Sequence, residues 1–288
     1  MEKTTLTAGE RTALLSLLDD PSPAVRRALR ARFAELGEAA GEMLRAAAAG
    51  GDRNLARHAL ELIDELGLLD PAGEFRAYIR GGRHELEEGS LLLARTARPR
   101  LDAAACRAQL DAMAARCREL ITEPSTSREK CRVLNRVLFH EWGFHGNTER
   151  YTDPGNSFLD QVLERRTGLP ISLSIVYLLV AARAGVALEP VGLPGHFLVG
   201  CFTDGLPFFI DPFEGGVFRG AAEIVEALTA RPGGPQRTDL IPTTASEVLC
   251  RCCRNLVRHC EASLEPERAR LYAGFVADFE QAGSRHAA

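Results

Sequence analysis

Lysine is almost missing from this chain. Lys3 and Lys130 are the only two in 288 residues, and arginine carries the rest of the positive charge. Together with the alanine runs, this reads as a composition bias of the genome rather than a phosphate-binding device. The net charge of −4 and pI near 6.0 leave no cationic excess to hold nucleic acid or an anionic membrane. Long apolar runs are lacking too. The nearest approach, Ile171 to Ala182, is too short to span a bilayer. The opening Met1-Glu2-Lys3-Thr4-Thr5-Leu6 has no basic-then-apolar layout of a signal peptide. Eight cysteines are scattered without secretory context and read as reduced thiols, so the expectation is a cytoplasmic protein. No cofactor, nucleic-acid partner or membrane partner is expected, and the oligomeric state stays open.

What is present is an ordinary apolar share of 45% on a chain longer than the usual single domain, so two or three units are expected. The first, residues 1–82, is helical. Val25, Arg27, Phe33, Glu35, Leu36 and Gly37 recur thirty positions later as Leu55, Arg57, Ile63, Glu65, Leu66 and Gly67. The repetition suggests a stacked HEAT-like helical pair, with a non-repetitive bundle as the alternative. Asp20-Pro21-Ser22-Pro23 reads as a helix start, and Gly37 and Gly67 as helix stops.

After the break at Gly81-Gly82, helices are expected over Glu85 to Ala97 and Asp102 to Ile121. The second of these presents Leu101, Ala105, Ala108, Met113 and Leu120 on one face. A further helix is expected from Arg128 to Trp142. Asn156 is read as the cap of a helix over Ser157 to Arg166. From Pro170 a helix follows that is apolar on nearly all sides and therefore buried. Phe197 to Phe202 and Phe208 to Ile210 read as an antiparallel hairpin around Thr203-Asp204-Gly205. That hairpin brings His196 and Asp211 to the same end of adjacent strands. Ala221 to Ala230 is expected to be helical and a Pro/Gly-rich loop to run from Arg231 to Pro235. Ser246 to Ser263 and Pro266 to Phe279 make a closing helical pair, with a frayed tail from Gln281. The expected domain boundaries are 1–82, 83–220 and 221–288, the last being helical.

A helix start, a histidine on one strand and an aspartate on the next form the skeleton of a papain-like or transglutaminase-like catalytic site. The blocks Phe144-His145-Gly146-Asn147, Tyr151-Thr152-Asp153-Pro154, Asn156-Ser157-Phe158-Leu159, Gly168-Leu169-Pro170-Ile171-Ser172-Leu173, Pro194-Gly195-His196-Phe197 and Asp211-Pro212-Phe213 occur in that order. Together they resemble the transglutaminase-like family named after the bacterial regulator SirB, which also occurs in some eukaryotic F-box proteins. The resemblance implies an α+β fold: a transglutaminase-like (papain-like) core with an antiparallel sheet, flanked by the N-terminal HEAT-like helices and a C-terminal helical pair that looks like a shortened remnant of the tetratricopeptide-like helices many relatives carry. In the broader superfamily a nucleophilic cysteine follows a Gly-x dipeptide at the start of the buried helix. Gly168-Leu169 matches the dipeptide, so the thiol position falls on Pro170, and the histidine and aspartate match His196 and Asp211.

A helix N-terminus lowers a thiol pKa, which is why a nucleophile belongs there. Proline fits the same place sterically but carries no nucleophilic atom. His196 is then either a general base or a buried imidazole whose bond to Asp211 ties two strands together. Ser172 is the candidate for a relocated nucleophile. It lies about 200° round the helix from Pro170 at 3.6 residues per turn, and as a helix-start residue it also suits capping. Cys201 falls on the opposite strand face from His196 and reads as core. Cys250, Cys252, Cys253, His259 and Cys260 invite a zinc reading, but they sit within one helix without the paired spacing of a zinc site, so no metal is expected. Asn147, Tyr151 and Asn156 match family positions and either floor a polar pocket or shape turns. The leading expectation is a pseudoenzyme that binds or regulates another protein through a degenerate cleft, with Asn147, Tyr151, Asn156 and Pro170 as binding residues. The alternative is a hydrolase or acyl-transferase using Ser172, His196 and Asp211.

Overall fold

The computed structural model describes residues 6–203, 205–230, 234–236 and 239–286. Residues 1–5, Asp204 of the expected hairpin turn, 231–233 of the expected Pro/Gly loop and the last two residues of the tail lie outside the described residues. The chain divides into two compact units, Met1–Asp70 and Pro71–Ala288.

The first unit holds α1 (Ala8–Ser16), α2 (Pro23–Leu36), α3 (Glu38–Ala48) and α4 (Arg53–Glu65). Thr7 and Glu10 form a reciprocal capping box on α1, and Asp52 accepts two backbone N–H groups at the start of α4. Pro23 occupies the first turn of α2, where its missing N–H is not needed. The thirty-residue match has a structural counterpart. Phe33 and Ile63 both enter one core with Leu44 and Ala59, and Gly37 and Gly67 both take positive φ where a helix ends.

The second unit begins with α5 (Pro71–Arg80), a helix not singled out in the sequence. Its Phe75 meets Phe275 edge-on at 4.9 Å between ring centres. Next come α6 (Leu86–Arg95) and α7 (Ala103–Leu120), the latter capped by Asp102. The buried face of α7 is Cys106, Leu110, Met113, Ala114 and Cys117, while Ala105 and Ala108 face outward. The expected face is rotated from the observed one because alanine is apolar on either side of a helix, whereas the cysteines mark the inner one. Helix α8 (Ser127–Asn135) opens on a Thr126–Glu129 capping box and runs into a π-helical stretch, Arg136–Glu141.

Strand β1 (His145–Gly146) pairs in parallel with β2 (Thr167–Gly168). Between them lie a 3-10 turn, Pro154–Ser157, and α9 (Leu159–Arg165). Asn156 does not cap α9. Phe158 holds that position, and the Asn156 side chain is turned to the preceding loop. Helix α10 (Pro170–Arg183) is the centre of the unit, with every residue from Pro170 to Ala181 buried. Helix propensity matters little at such a site. The all-round apolar surface is covered by α7, α9 and the sheet.

The sheet is an antiparallel meander of β3 (Glu189–Leu193), β4 (His196–Cys201), β5 (Phe208–Asp211) and β6 (Val217–Gly220). Val199 pairs with Ile210 and Cys201 with Phe208, as the expected hairpin requires. Leu193 and His196 close the β3–β4 turn around Pro194-Gly195, where Gly195 takes φ 70°. Helix α11 (Ala221–Thr229) follows the sheet. A closing pair, α12 (Ala245–Ala262) and α13 (Pro266–His286), packs against α5 and α6, and α13 runs past the end expected at Phe279. No helix among the described residues is long and apolar enough to cross a membrane.

Candidate functional site

Strands β4 and β5 set a histidine against an aspartate. His196 Nε2 lies 2.7 Å from Asp211 Oδ2. Asp211 is 1% exposed, and its other oxygen accepts the backbone N–H groups of Phe213 (3.2 Å) and Glu214 (3.3 Å). Arg219 Nε stands 3.7 Å from Oδ2. A buried carboxylate held by this many donors keeps its place and fixes the ring it faces. With Nε2 turned to Asp211, Nδ1 is the ring atom left for the groove. Phe213 packs edge-on to the imidazole, with ring centres 6.4 Å apart. The Asp211–Gly216 turn is tied to the helical layer. Tyr177 Oη donates to Asn135 Oδ1 (2.8 Å), and Asn135 Nδ2 donates to the Gly216 carbonyl (2.7 Å).

The start of α10 faces the same groove, and Pro170 is its first residue. Ser172 lies two residues further in and does not line the groove. Its Oγ accepts the N–H of Leu169 (2.9 Å) and donates to the Asn156 carbonyl (2.6 Å). This hydroxyl caps its own helix and ties it to the preceding turn. Among the described residues it makes no hydrogen bond with His196. Gly168 is needed beside it, because a Cβ there would come within 2.6 Å of Ser172 Oγ.

Asn147 and Asn156 form a clamp. Asn147 Nδ2 donates to Asn156 Oδ1 (2.9 Å), and Asn156 Nδ2 reaches the carbonyls of Arg150 (2.7 Å) and Tyr151 (3.2 Å). These two residues shape the loop, while Tyr151, which the loop presents, is exposed and lines the groove. Its ring stands 6.1 Å from Phe213 and 6.2 Å from His259.

The groove has a volume of about 690 Å³. One bank is the start of α10 and the β3–β4 turn, and the other is α12. Arg251, Arg254, Arg258 and His259 come from α12, and none of them is among the site residues expected from the sequence. Their spacing at i, i+3, i+7 and i+8 is visible there and puts them along one side of a helix. What it does not show is that this side faces His196. Arg251 donates to the carbonyls of Leu193 (2.6 Å) and His196 (2.7 Å) and lies over the Phe197 ring at 5.4 Å. It thereby holds the turn that carries the histidine. Burial lowers the pKa of Arg251. Burial, and secondarily Arg258, also lowers that of His259, against a smaller opposing effect of Asp153.

A model of the transglutaminase-like superfamily matches residues 104–254, just over half of the chain. The chain belongs to the transglutaminase-like superfamily. Two relatives are UPF0162 proteins. The one from Xylella fastidiosa is 38% identical over 173 residues, covering 58% of this chain and 62% of the relative. The one from Vibrio cholerae is 30% identical over 134 residues, covering 46% and 50%. F-box only protein 21 of Mus musculus is 44% identical over 80 residues, 28% of this chain and 13% of that protein. The chain thus spans less than two thirds of these relatives' length. No solved structure matches.

In this superfamily member the thiols lie away from the groove. Cys201 is 1% exposed and its Sγ meets Thr203 Oγ1 at 3.4 Å. Cys250, Cys252, Cys253 and Cys260 are buried in the core, where desolvation pushes Cys252 up to about 12 and Cys253 well above its ordinary value. Among the described residues no three His, Cys, Asp or Glu side chains gather as a metal-ligand set.

Proposed function

We propose that this transglutaminase-like protein, of the SirB-related kind, is a non-catalytic binding or regulatory module whose groove takes a segment of another protein. One observation carries the reading. The helix start facing His196 and Asp211 is occupied by Pro170, and the hydroxyl two residues on is bonded to Leu169 and Asn156. An imidazole base without a positioned nucleophile has no proton to remove within reach. The groove itself is open and lined by apolar, aromatic and cationic side chains, which suits recognition of a chain segment. The test is turnover. Purified protein is incubated with peptide p-nitroanilides, p-nitrophenyl esters and a glutamine–amine cross-linking pair, beside its His196→Ala variant. The expected result is equal background rates. Turnover by the native protein that His196→Ala abolishes sinks the proposal and restores the alternative of a relocated nucleophile.

A further inference from the structure

The proposed groove carries more cation than its own architecture uses. Arg254 is paired, with Glu280 at 2.9 Å. Arg251 and Arg258 have no carboxylate within salt-bridge distance among the described residues. Among the described residues, Arg258 donates to Asn255 Oδ1 (2.8 Å) and, at 3.4 Å, to the Arg254 carbonyl. Arg251 is partly desolvated between α12 and the β3–β4 turn, and its hydrogen bonds go to neutral carbonyls. A guanidinium withdrawn from water without a counter-charge is destabilising, and an arriving carboxylate relieves it. A second observation comes from the same bank. His259 is 7% exposed, lines the groove, and its Nδ1 has no hydrogen-bond partner. The acid in the lining, Asp239, is buried and accepts the backbone N–H of Gln236.

We infer that the groove recognises an acidic peptide segment, with Arg251 and Arg258 meeting its carboxylates and the start of α10 receiving an apolar side chain. The inference rests on the binding reading above and adds the chemistry of the occupant. Spacing favours a peptide over a single small anion. Arg254 and Arg258 are separated by about 6 Å along the helix, and Arg251 and Arg258 by about 10.5 Å. Alternate side chains of an extended chain stand about 7 Å apart on one face, so carboxylates at every second position run along the row. Leu169, Pro170, Ile171, Phe197 and Tyr151 add an apolar and aromatic lining that a free phosphate does not use.

The full chain is titrated, by fluorescence anisotropy, with a fluorescein-labelled decapeptide alternating Glu and Leu and with its Gln-for-Glu counterpart. The expected result is binding of the acidic peptide about tenfold or more tighter than the neutral one, weakening as salt is raised. Arg258→Glu weakens the acidic peptide about tenfold, while Arg270→Glu, exposed on α13, leaves it unchanged. Thermal melts check that both variants fold. Arg251→Ala is secondary, because it also releases the turn bearing His196. Equal binding of both peptides overturns the charge assignment and leaves a neutral-segment groove standing. Binding of neither peptide overturns it as well, as does displacement of the acidic peptide by inorganic pyrophosphate or a single-stranded decanucleotide of higher affinity. The binding reading fails separately, through His196-dependent cleavage or cross-linking.

Discussion

The ring of Phe213 lies where a side chain on Gly146 would have to go. A Cβ built on Gly146 falls 2.6 Å from Phe213 Cε2. The same ring packs edge-on to His196, so a glycine on the short strand β1 fixes the neighbour of the site's imidazole.

Gly146→Ala is therefore expected to push Phe213 outward and loosen the Asp211–Gly216 turn. Overpacking of this kind destabilises by about 1–3 kcal/mol. Chemical denaturation of both proteins measures it, and an unchanged midpoint would show that the ring swings aside freely.

Pro170→Cys places a thiol at a helix N-terminus that lines the groove with His196. The loss of proline there costs little, and the dipole together with the imidazole favours the thiolate. Iodoacetamide alkylation of the variant is expected to proceed at neutral pH, and adding His196→Ala should move its pH profile upward. The native cysteines are buried and give a low background. A profile with an ordinary thiol midpoint, indifferent to His196, would place the introduced thiol away from the imidazole.

Much of this geometry is legible in the sequence, and the rest is hidden for identifiable reasons. The hairpin of His196 and Asp211 is readable because short apolar runs flank a turn signal, and α10 because apolar residues surround it. Ala105 and Ala108 are misplaced by periodicity because alanine fits either face of a helix. Asn156 looks like a cap because its partners, Asn147 and the carbonyls of Arg150 and Tyr151, are reached only once the loop has closed. The arginines of α12 escape notice because an evenly spaced row on a helix ordinarily faces solvent. Only tertiary packing turns Arg251 toward the carbonyls of Leu193 and His196.

Ser172→Ala separates capping from chemistry. It leaves the Leu169 N–H without its acceptor and the Asn156 carbonyl without its donor in a buried setting. The expected loss is about 1–3 kcal/mol of stability, with peptide binding by the native-state fraction unchanged. Equal stability of Ser172→Ala and the parent in urea would remove the capping role.

His259 links stability to pH. Burial and Arg258 depress its folded-state pKa below the ordinary 6.5. The unfolded chain therefore takes up a proton first as pH falls. The contribution of His259 is fully present above the unfolded value and is lost as pH drops from there toward the folded one. Melting temperature is expected to fall between neutral pH and mild acid more steeply for the native protein than for His259→Gln. Parallel curves would assign the acid sensitivity to other groups.

The groove's second bank is α12, which begins at Ala245, long after His196 and Asp211 have been laid down. During synthesis a chain that has emerged only through the sheet owns the imidazole and the carboxylate but no arginine wall. Any partner that needs both banks can engage only after α12 has docked beside the β3–β4 turn.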